Sequence, residues 1–220
     1  MSDEVARSLS AGARAVAPLV PAVAAFGLTF GLLAREAGFD LFSVTIFSGT
    51  TFAGSAQFAA VSVLGEGGTL AAAITAAVLL NTRYVPIGIS VAPALTGPVW
   101  QRLLRAQLVV DESWAIGHLG GGRYDASRIL GAGLVLFPSW VLSTSIGTFT
   151  GDLIGDPADI GLDAAFPALF LALLAGQVHD RRGAVAAALG AGTALVLVPF
   201  VPVGVPIVAA AAACLIGVRR

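Results

Sequence analysis

The chain has 220 residues, of which 57% are apolar and only 11% are charged, and its mean hydropathy is +0.90. An average soluble domain is about 25% charged and less than half apolar, so a soluble fold could not bury this much apolar surface. The net charge of -1 and the lack of a clustered basic face exclude a nucleic-acid-binding protein. At about 20 residues per crossing, the composition predicts one all-α, polytopic integral membrane domain over residues 1–220, with six or seven transmembrane helices.

Seven apolar runs follow one another along the chain. They cover approximately residues 16–34, 41–65, 69–95, 129–151, 164–178, 184–201 and 203–217. The first run follows Arg7 and Arg14, as the apolar part of a secretory signal would, but it continues unbroken to Ala34. We therefore expect a first transmembrane helix rather than a cleaved signal peptide.

The distribution of arginine predicts which segments face the cytoplasm. A segment of about residues 96–128 contains four arginines, which indicates a cytoplasmic loop carrying an amphipathic helix under the positive-inside rule. The segment that contains Asp152, Asp156, Asp159 and Asp163 has no basic residue, so we expect it to face outward.

The number of crossings conflicts with the charge of the N-terminus. Three crossings before the arginine-rich loop would place the N-terminus outside, although Arg7 and Arg14 favour the cytoplasm. Either the N-terminus lies outside, or one early run enters the membrane and returns, which is tolerated where protein or water covers its free backbone groups. The second run is the best candidate, because its centre at 48–57, SGTTFAGSAQ, is dense in glycine and hydroxyl residues.

A short internal repeat favours the other alternative. A Gly-x-x-x-Gly pair followed by Gly-x-Asp occurs at 27–40, before Phe47, and again at 147–163, before Phe170. Copies that begin three crossings apart form an inverted repeat, with the N-terminus outside and a substrate site near the midplane. The same glycine spacing also serves helix packing alone, which is the role we favour for Gly147 and Gly151.

Two polar interruptions of the apolar runs are candidate binding sites. In the second run, a helix that restarts near Gly54 would direct free N–H groups toward a carboxylate, with Thr51, Ser55 and Gln57 beside them. The alternative is that these small residues serve helix packing while Ser55 and Thr51 bond to their own backbone.

The third run carries Asn81, Arg83 and Pro86 near its middle. An arginine at that depth costs about 2.5 to 3.5 kcal/mol on insertion scales, which favours a functional role facing a cavity or a partner. Pro86 is compatible with a break in the helix. Alternatively, Arg83 extends to the membrane interface beside Tyr84.

Three further residues are weaker candidates. Asp111 and Glu112 are adjacent, so on a helix they point about 100° apart; one could pair with an arginine, carry a proton or close an inner gate through Arg83, or both could be solvated charges. Trp140 either anchors the chain at the interface or lines a cavity.

The sequence does not indicate an enzyme, a metal or a cofactor. His118 and His179 stand alone, Cys214 lies in the last apolar run, and no metalloprotease, hydrolase or nucleotide-binding motif is present. A transporter is therefore the main hypothesis. A passive channel or a carrier for another small anion is the alternative, and an intramembrane serine protease using Ser55 is a remote one.

Five stretches of the chain resemble the AzlC family of branched-chain amino acid permeases. They are FGLTFGLLAREAG at 26–38, SGTTFAGSAQF at 48–58, LLNTRYVPIGISVAPAL at 79–95, LLRAQLVVDESWAI at 103–116, and the segment from SWVLSTSIGTFTG to ALFLALL at 139–174. GSAQF and DES are specific in combination, whereas the glycine spacings are not. Tyr84 stands where the family typically has histidine, which argues against a proton relay at that position.

The resemblance implies the large subunit of an exporter for branched-chain amino acids in the cell membrane, acting with a small AzlD-type membrane protein. An ion or proton gradient would drive it, since the chain has no nucleotide-binding element. On this interpretation, the substrate carboxylate faces the N–H groups of Ser55 to Gln57 and Arg83. Its aliphatic side chain contacts apolar residues such as Phe52, Phe58 and Trp140.

Overall fold

A computed structural model describes residues 3–154, 171, 174, 178, 180–201 and 205–211. Apart from one isolated β-bridge, the regular structure in these ranges is helical, which confirms the all-α prediction. The α-helices are α1 Asp3–Val16, α2 Val20–Glu36, α3 Leu41–Thr51, α4 Gly54–Gly65, α5 Leu70–Asn81, α6 Tyr84–Val91, α7 Val99–Ala106, α8 Asp111–Gly117, α9 Ala126–Ile154, α10 Arg181–Leu197 and α11 Val205–Ala211.

The helices α1 and α2 form one long rod that packs against α9. A 3-10 turn at Ala17–Leu19 joins them, so that Asp3–Glu36 is long and apolar enough to cross a membrane, as is Ala126–Gly151. Glycines bring the two rods into backbone contact. A Cβ on Gly31 would overlap the carbonyl oxygen of Thr144, and one on Gly147 would overlap that of Leu28. This close approach confirms Gly147 as a packing residue.

The same contacts give the direction of the rods. Gly12 lies against Arg128, Gly31 against Gly147 and Arg35 against Gly151, so α1–α2 and α9 run parallel. At one end, the Ser8 hydroxyl bonds to Asp125 just before α9. The N-terminus and the arginine-rich segment therefore lie at the same end of the bundle, which the positive-inside rule assigns to the cytoplasm.

The second apolar run folds into a re-entrant hairpin made of α3 and α4. The hairpin starts after the turn at Gly38, which closes α2 with a φ of 88°. Its tip reaches the middle of α9, where the rings of Phe52 and Phe137 are 5.1 Å apart. The chain then returns, and a Cβ on Gly65 would lie 3.5 Å from that of Ala37. Both ends of the hairpin are thus at the outer end of α2.

The reversal takes place within two residues. Phe52 has a left-handed backbone with a φ of 38°, the one positive value among the described non-glycine residues, and Ala53 follows as the N-cap of α4 with a φ of −142° and a ψ of 85°. The left-handed conformation is costly for a bulky residue and persists only where surrounding contacts impose it. As the sequence predicted, the helix restarts at Gly54.

The third run crosses as a broken helix. The helices α5 and α6 are separated at Thr82 and Arg83 and bend by 42°, and together they pass as one candidate span. The start of α5 packs against α4 through an alanine-rich cluster, while Val91 at the end of α6 packs with Val109 and Ile129. This run therefore leads from the outer end to the cytoplasmic end.

The cytoplasmic segment contains the predicted amphipathic helix. It is α7, whose Trp100 and Leu103 are 60% and 66% exposed while Arg102 and Arg105 provide its charge. The chain continues through Leu108, which contacts Gly133, into the short helix α8 against the first turns of α9.

The hairpin resolves the conflict over the N-terminus. The described residues contain two long candidate spans, or three with the bent pair, and the second run adds no crossing. The two glycine patterns run in the same direction, so these segments do not have the inverted relation expected from three intervening crossings. Asp152 belongs to the last turns of α9, whereas the rest of the aspartate-rich loop and most of the runs at 164–178 and 203–217 lie outside the described residues.

Cysteine labelling tests this topology. In a Cys214→Ser background, we expect Glu36→Cys and Glu66→Cys both to react with a membrane-impermeant maleimide on intact cells, because both ends of the hairpin face outward. Arg123→Cys should react only after permeabilisation. Labelling of the Glu36 and Glu66 positions from opposite sides would show that the second run crosses the membrane.

Candidate functional site

One cavity of about 540 Å³ joins the two interrupted runs. Its volume is within the range of small-molecule sites, about 300–1,000 Å³. It extends from the hairpin tip and the α5–α6 break along α6 to α7. The lining residues are Thr51, Phe52, Ala53, Asn81, Tyr84, Ile87, Gly88, Val91, Ala92, Leu95, Val99, Arg102, Leu103, Ala106, Gln107 and Val109.

The two helix ends at the hairpin tip differ in their hydrogen bonding. The carbonyl end of α3 is satisfied, because Gln107 Nε2 donates to the carbonyl oxygens of Gly49 at 3.1 Å and Thr50 at 3.0 Å. The amino end of α4 has no side-chain cap. Its first N–H groups and positive dipole end therefore remain available next to Ala53, which lines the cavity.

Gln57 is fully buried, and its amide connects the hairpin to α9. Its Oε1 accepts from Trp140 Nε1 at 3.0 Å and from the Ala53 N–H at 3.4 Å, while its Nε2 donates to Ser48 Oγ at 3.2 Å. The structure thus places Gln57 behind the cavity wall, among groups that already occupy both ends of its amide. Its geometry suits a positioning residue that holds the break in place.

Aromatic side chains support the hairpin from the same side. Trp140 is 6% exposed and stacks on Phe30 with ring centroids 5.9 Å apart, and Phe58 meets Phe30 edge to face at 5.3 Å. A Cβ on Gly54 would lie 3.2 Å from the Trp140 ring, which explains the glycine at the start of α4. Of the three aromatic residues predicted to contact substrate, Phe52 lines the cavity, and Phe58 and Trp140 lie in the core.

Two of the predicted polar residues carry buried oxygens without a protein partner. Ser55 Oγ and Asn81 Oδ1 make no hydrogen bond within the described ranges. Ser55 therefore does not bond back to its own backbone, as the packing alternative would have it. Asn81 and Thr51 both line the cavity, so the structure brings together one predicted residue from each break.

Arg83 is held beside the cavity by an ion pair. Its Nη2 lies 2.9 Å from Asp111 Oδ2, and its guanidinium is 5.2 Å from the centre of the Tyr84 ring. Both charged side chains are about 40% exposed. Of the adjacent pair of acids, Asp111 is thus the partner of the arginine, and it connects α8 to the α5–α6 break.

The carboxyl of Glu112 is buried beside charged neighbours. Burial raises the pKa of its carboxyl above the usual range, and the adjacent Asp111 acts in the same direction, against the effect of Arg83. Glu112 therefore keeps its proton to a higher pH than an exposed glutamate does. Among the described residues, no three histidine, cysteine or acidic side chains form a group that could hold a metal ion.

Several lining residues were not singled out in the sequence. Ile87 and Val91 of α6 and Leu95 just after it form an apolar wall, and their spacing of four residues was the available signal. Arg102 of α7 and Gln107, just after it, also line the cavity. The bond of Gln107 to α3 spans 58 positions, and local sequence does not indicate such a contact.

The comparisons with known proteins give one family and several similar membrane proteins. The family described as AzlC protein matches residues 18–154. The inner membrane protein YgaZ of Escherichia coli is 28% identical over 202 residues, which cover 86% of this chain and 81% of YgaZ. An uncharacterized membrane protein of Archaeoglobus fulgidus is 29% identical over 75% of this chain and 74% of its own length. One of Helicobacter pylori (strain 26695) is 24% identical over 69% and 67%. No solved structure matches the chain.

Removing the Gln57 amide should loosen the hairpin. In Gln57→Ala, the Trp140 Nε1, the Ser48 hydroxyl and the Ala53 N–H lose a buried partner, which costs about 1–3 kcal/mol for each group left unsatisfied. We expect a lower melting temperature in detergent. Thr50→Val is the control, because the Thr50 hydroxyl is exposed and donates to the Ile46 carbonyl oxygen of its own helix. Equal melting temperatures for the two variants would contradict the structural role of Gln57.

Proposed function

This chain belongs to the AzlC family of membrane proteins, and from that premise we propose that it is a transporter that exports branched-chain amino acids. The observation that carries the proposal is the single cavity shared by two interrupted runs, with polar groups at the breaks and an apolar wall along α6. Transporters commonly bind substrate where discontinuous helices expose their ends near the midplane.

The cavity accommodates the two parts of an aliphatic amino acid differently. The charged Cα groups would lie at the breaks, with the carboxylate facing the uncapped N–H groups of α4. The branched side chain would lie along Ile87, Val91 and Leu95, where burial of apolar surface favours it by about 25 cal/mol per Å². The cavity continues to α7 on the cytoplasmic side, which supports loading of substrate from the cytoplasm.

The segment 107–111 is suited to act as an inner gate. At one end, Gln107 bonds to the last carbonyls of α3; at the other, Asp111 pairs with Arg83 in the α5–α6 break. Movement of this segment would therefore change both breaks together. The raised pKa of Glu112 supports coupling to a proton gradient, and the family resemblance supports a small AzlD-type partner subunit.

An anion channel or anion carrier is the second candidate. It is favoured by the amino end of α4 and by Arg102, which places a positive charge in the cavity lining. Proteoliposomes distinguish the two. Saturable leucine uptake that valine inhibits and chloride does not supports the amino acid carrier, whereas an ohmic anion current without leucine uptake supports the channel.

Filling the cavity should block transport without unfolding the protein. A Cβ on Gly88 meets no described atom within 4 Å, so Gly88→Phe can place its ring in the cavity. We expect leucine uptake to fall by about tenfold or more, equivalent to about 1.4 kcal/mol, at an unchanged melting temperature.

Gly192→Phe provides the matched control for this variant. Gly192 is an exposed helical glycine of α10 with equally open surroundings among the described atoms, and it does not line the cavity. Uptake by the control should remain at the wild-type level. If Gly88→Phe also transports normally, the cavity is not the substrate path.

Exchanging the charges of the ion pair tests the gate. We expect Arg83→Asp and Asp111→Arg each to slow leucine uptake, because like charges then repel the segment 107–111 from the α5–α6 break. The double variant should recover at least half of the lost rate. Stability should change little, since half-exposed pairs contribute about 0–1 kcal/mol. Wild-type uptake rates in both single variants, measured in proteoliposomes, would exclude a gating role.

A further inference from the structure

One residue of the cavity lining carries a buried hydrogen-bond acceptor that the described part of the protein does not satisfy. Asn81 is the last residue of α5, it lines the cavity, and its Oδ1 has no partner in the described part of the chain. Native proteins pair the large majority of their buried polar atoms, so an unpaired one in a cavity wall requires an explanation. A ligand that brings a donor into the cavity provides it.

The neighbouring polar side chains do not provide that donor. The Thr82 hydroxyl donates to the Leu79 carbonyl oxygen at 2.6 Å, and the Arg83 guanidinium is engaged with Asp111 at 2.9 Å. Both groups therefore already have partners, Thr82 in α5 and Arg83 in α8. At the α5–α6 break, the buried oxygen without a partner in the described part of the chain is therefore that of Asn81.

The position of Asn81 indicates the charge of the missing donor. The carboxyl end of a helix carries a partial negative charge, and Asn81 closes the twelve-residue helix α5 at the cavity. A cationic donor is favoured there over a neutral one. An anion that presents only acceptor atoms would be repelled by both the helix end and the amide oxygen.

We propose that Asn81 Oδ1 accepts a hydrogen bond from the ammonium group of the substrate and makes the cavity selective for a zwitterion over a simple carboxylate. This inference rests on the proposed transport of amino acids. It assigns recognition of the ammonium to α5 and recognition of the carboxylate to α4. The oxo acid of leucine, 4-methyl-2-oxopentanoate, has the same side chain and carboxylate but presents a carbonyl acceptor to Asn81 instead of a donor.

Competition binding tests the assignment. Radiolabelled leucine is bound to the purified full-length chain in detergent and displaced with unlabelled leucine or with the oxo acid. For the wild type, we expect the oxo acid to compete at least about tenfold more weakly, as for loss of a hydrogen bond to a charged group. In Asn81→Leu, leucine affinity should fall by roughly 10- to 100-fold while that of the oxo acid changes less than about threefold.

Two further variants separate recognition from structure. Asn81→Asp keeps an acceptor oxygen and should retain leucine binding and discrimination. Thr82→Ala removes a hydroxyl from the same break that is already bonded internally, and it should bind both ligands like the wild type. Melting temperatures identify a variant that fails to fold, and in that case the wild-type competition alone decides.

The outcomes distinguish the two levels of the hypothesis. Absence of saturable leucine binding by the wild type would overturn the proposed function itself. Leucine binding with equally strong competition by the oxo acid would overturn the role of Asn81 alone. Wild-type discrimination in a folded Asn81→Leu variant would do the same.

Discussion

The buried amide of Gln57 makes the re-entrant hairpin possible. A break inside a membrane domain exposes backbone groups that water cannot reach, and each must find a partner within the protein. One side chain here satisfies the N–H of Ala53 at the break, the hydroxyl of Ser48 before it and the indole of Trp140 on α9. Gln107 satisfies the last carbonyls of α3 from the opposite side. With the packing of Phe52 on Phe137, these two amides hold the left-handed turn in place.

These bonds divide the molecule into a rigid part and a part that is able to move. The rods α1–α2 and α9 meet backbone to backbone at glycines, and Phe30, Phe58 and Trp140 fix the hairpin to them. Close packing of this kind transmits displacement without deforming. The helices α5 to α7 instead surround the cavity and carry the bend, so a change of access to the site is expected to occur on that side.

The sequence predicted the places of both breaks because glycine, hydroxyl and charged residues interrupt long apolar runs. The restart at Gly54, the break beside Arg83 and the amphipathic helix α7 are all local features. The direction of a buried side chain is not a local feature. Gln57 and Ser55 lie on one helix, but only Gln57 meets the distant Trp140, whereas the Ser55 hydroxyl has no partner among the described residues. For this reason the sequence predicted Gln57 as a substrate-binding residue, whereas in the structure its side chain is bonded to Trp140 in the core. Equally, the choice between a crossing and a hairpin depended on where α4 returns, a long-range contact between Gly65 and Ala37.

The hairpin also has a consequence for biosynthesis. The run at 41–65 contains 25 residues and is long enough to be threaded across the bilayer as it leaves the ribosome, which would reverse every later segment. The arginines that follow oppose this outcome, because translocating them would place the basic segment on the wrong side. Correct insertion therefore depends on charges that are synthesised after the hairpin, and its final shape on the arrival of α9, which supplies Trp140. The hairpin therefore cannot complete its packing in the membrane until residue 140 has been synthesised.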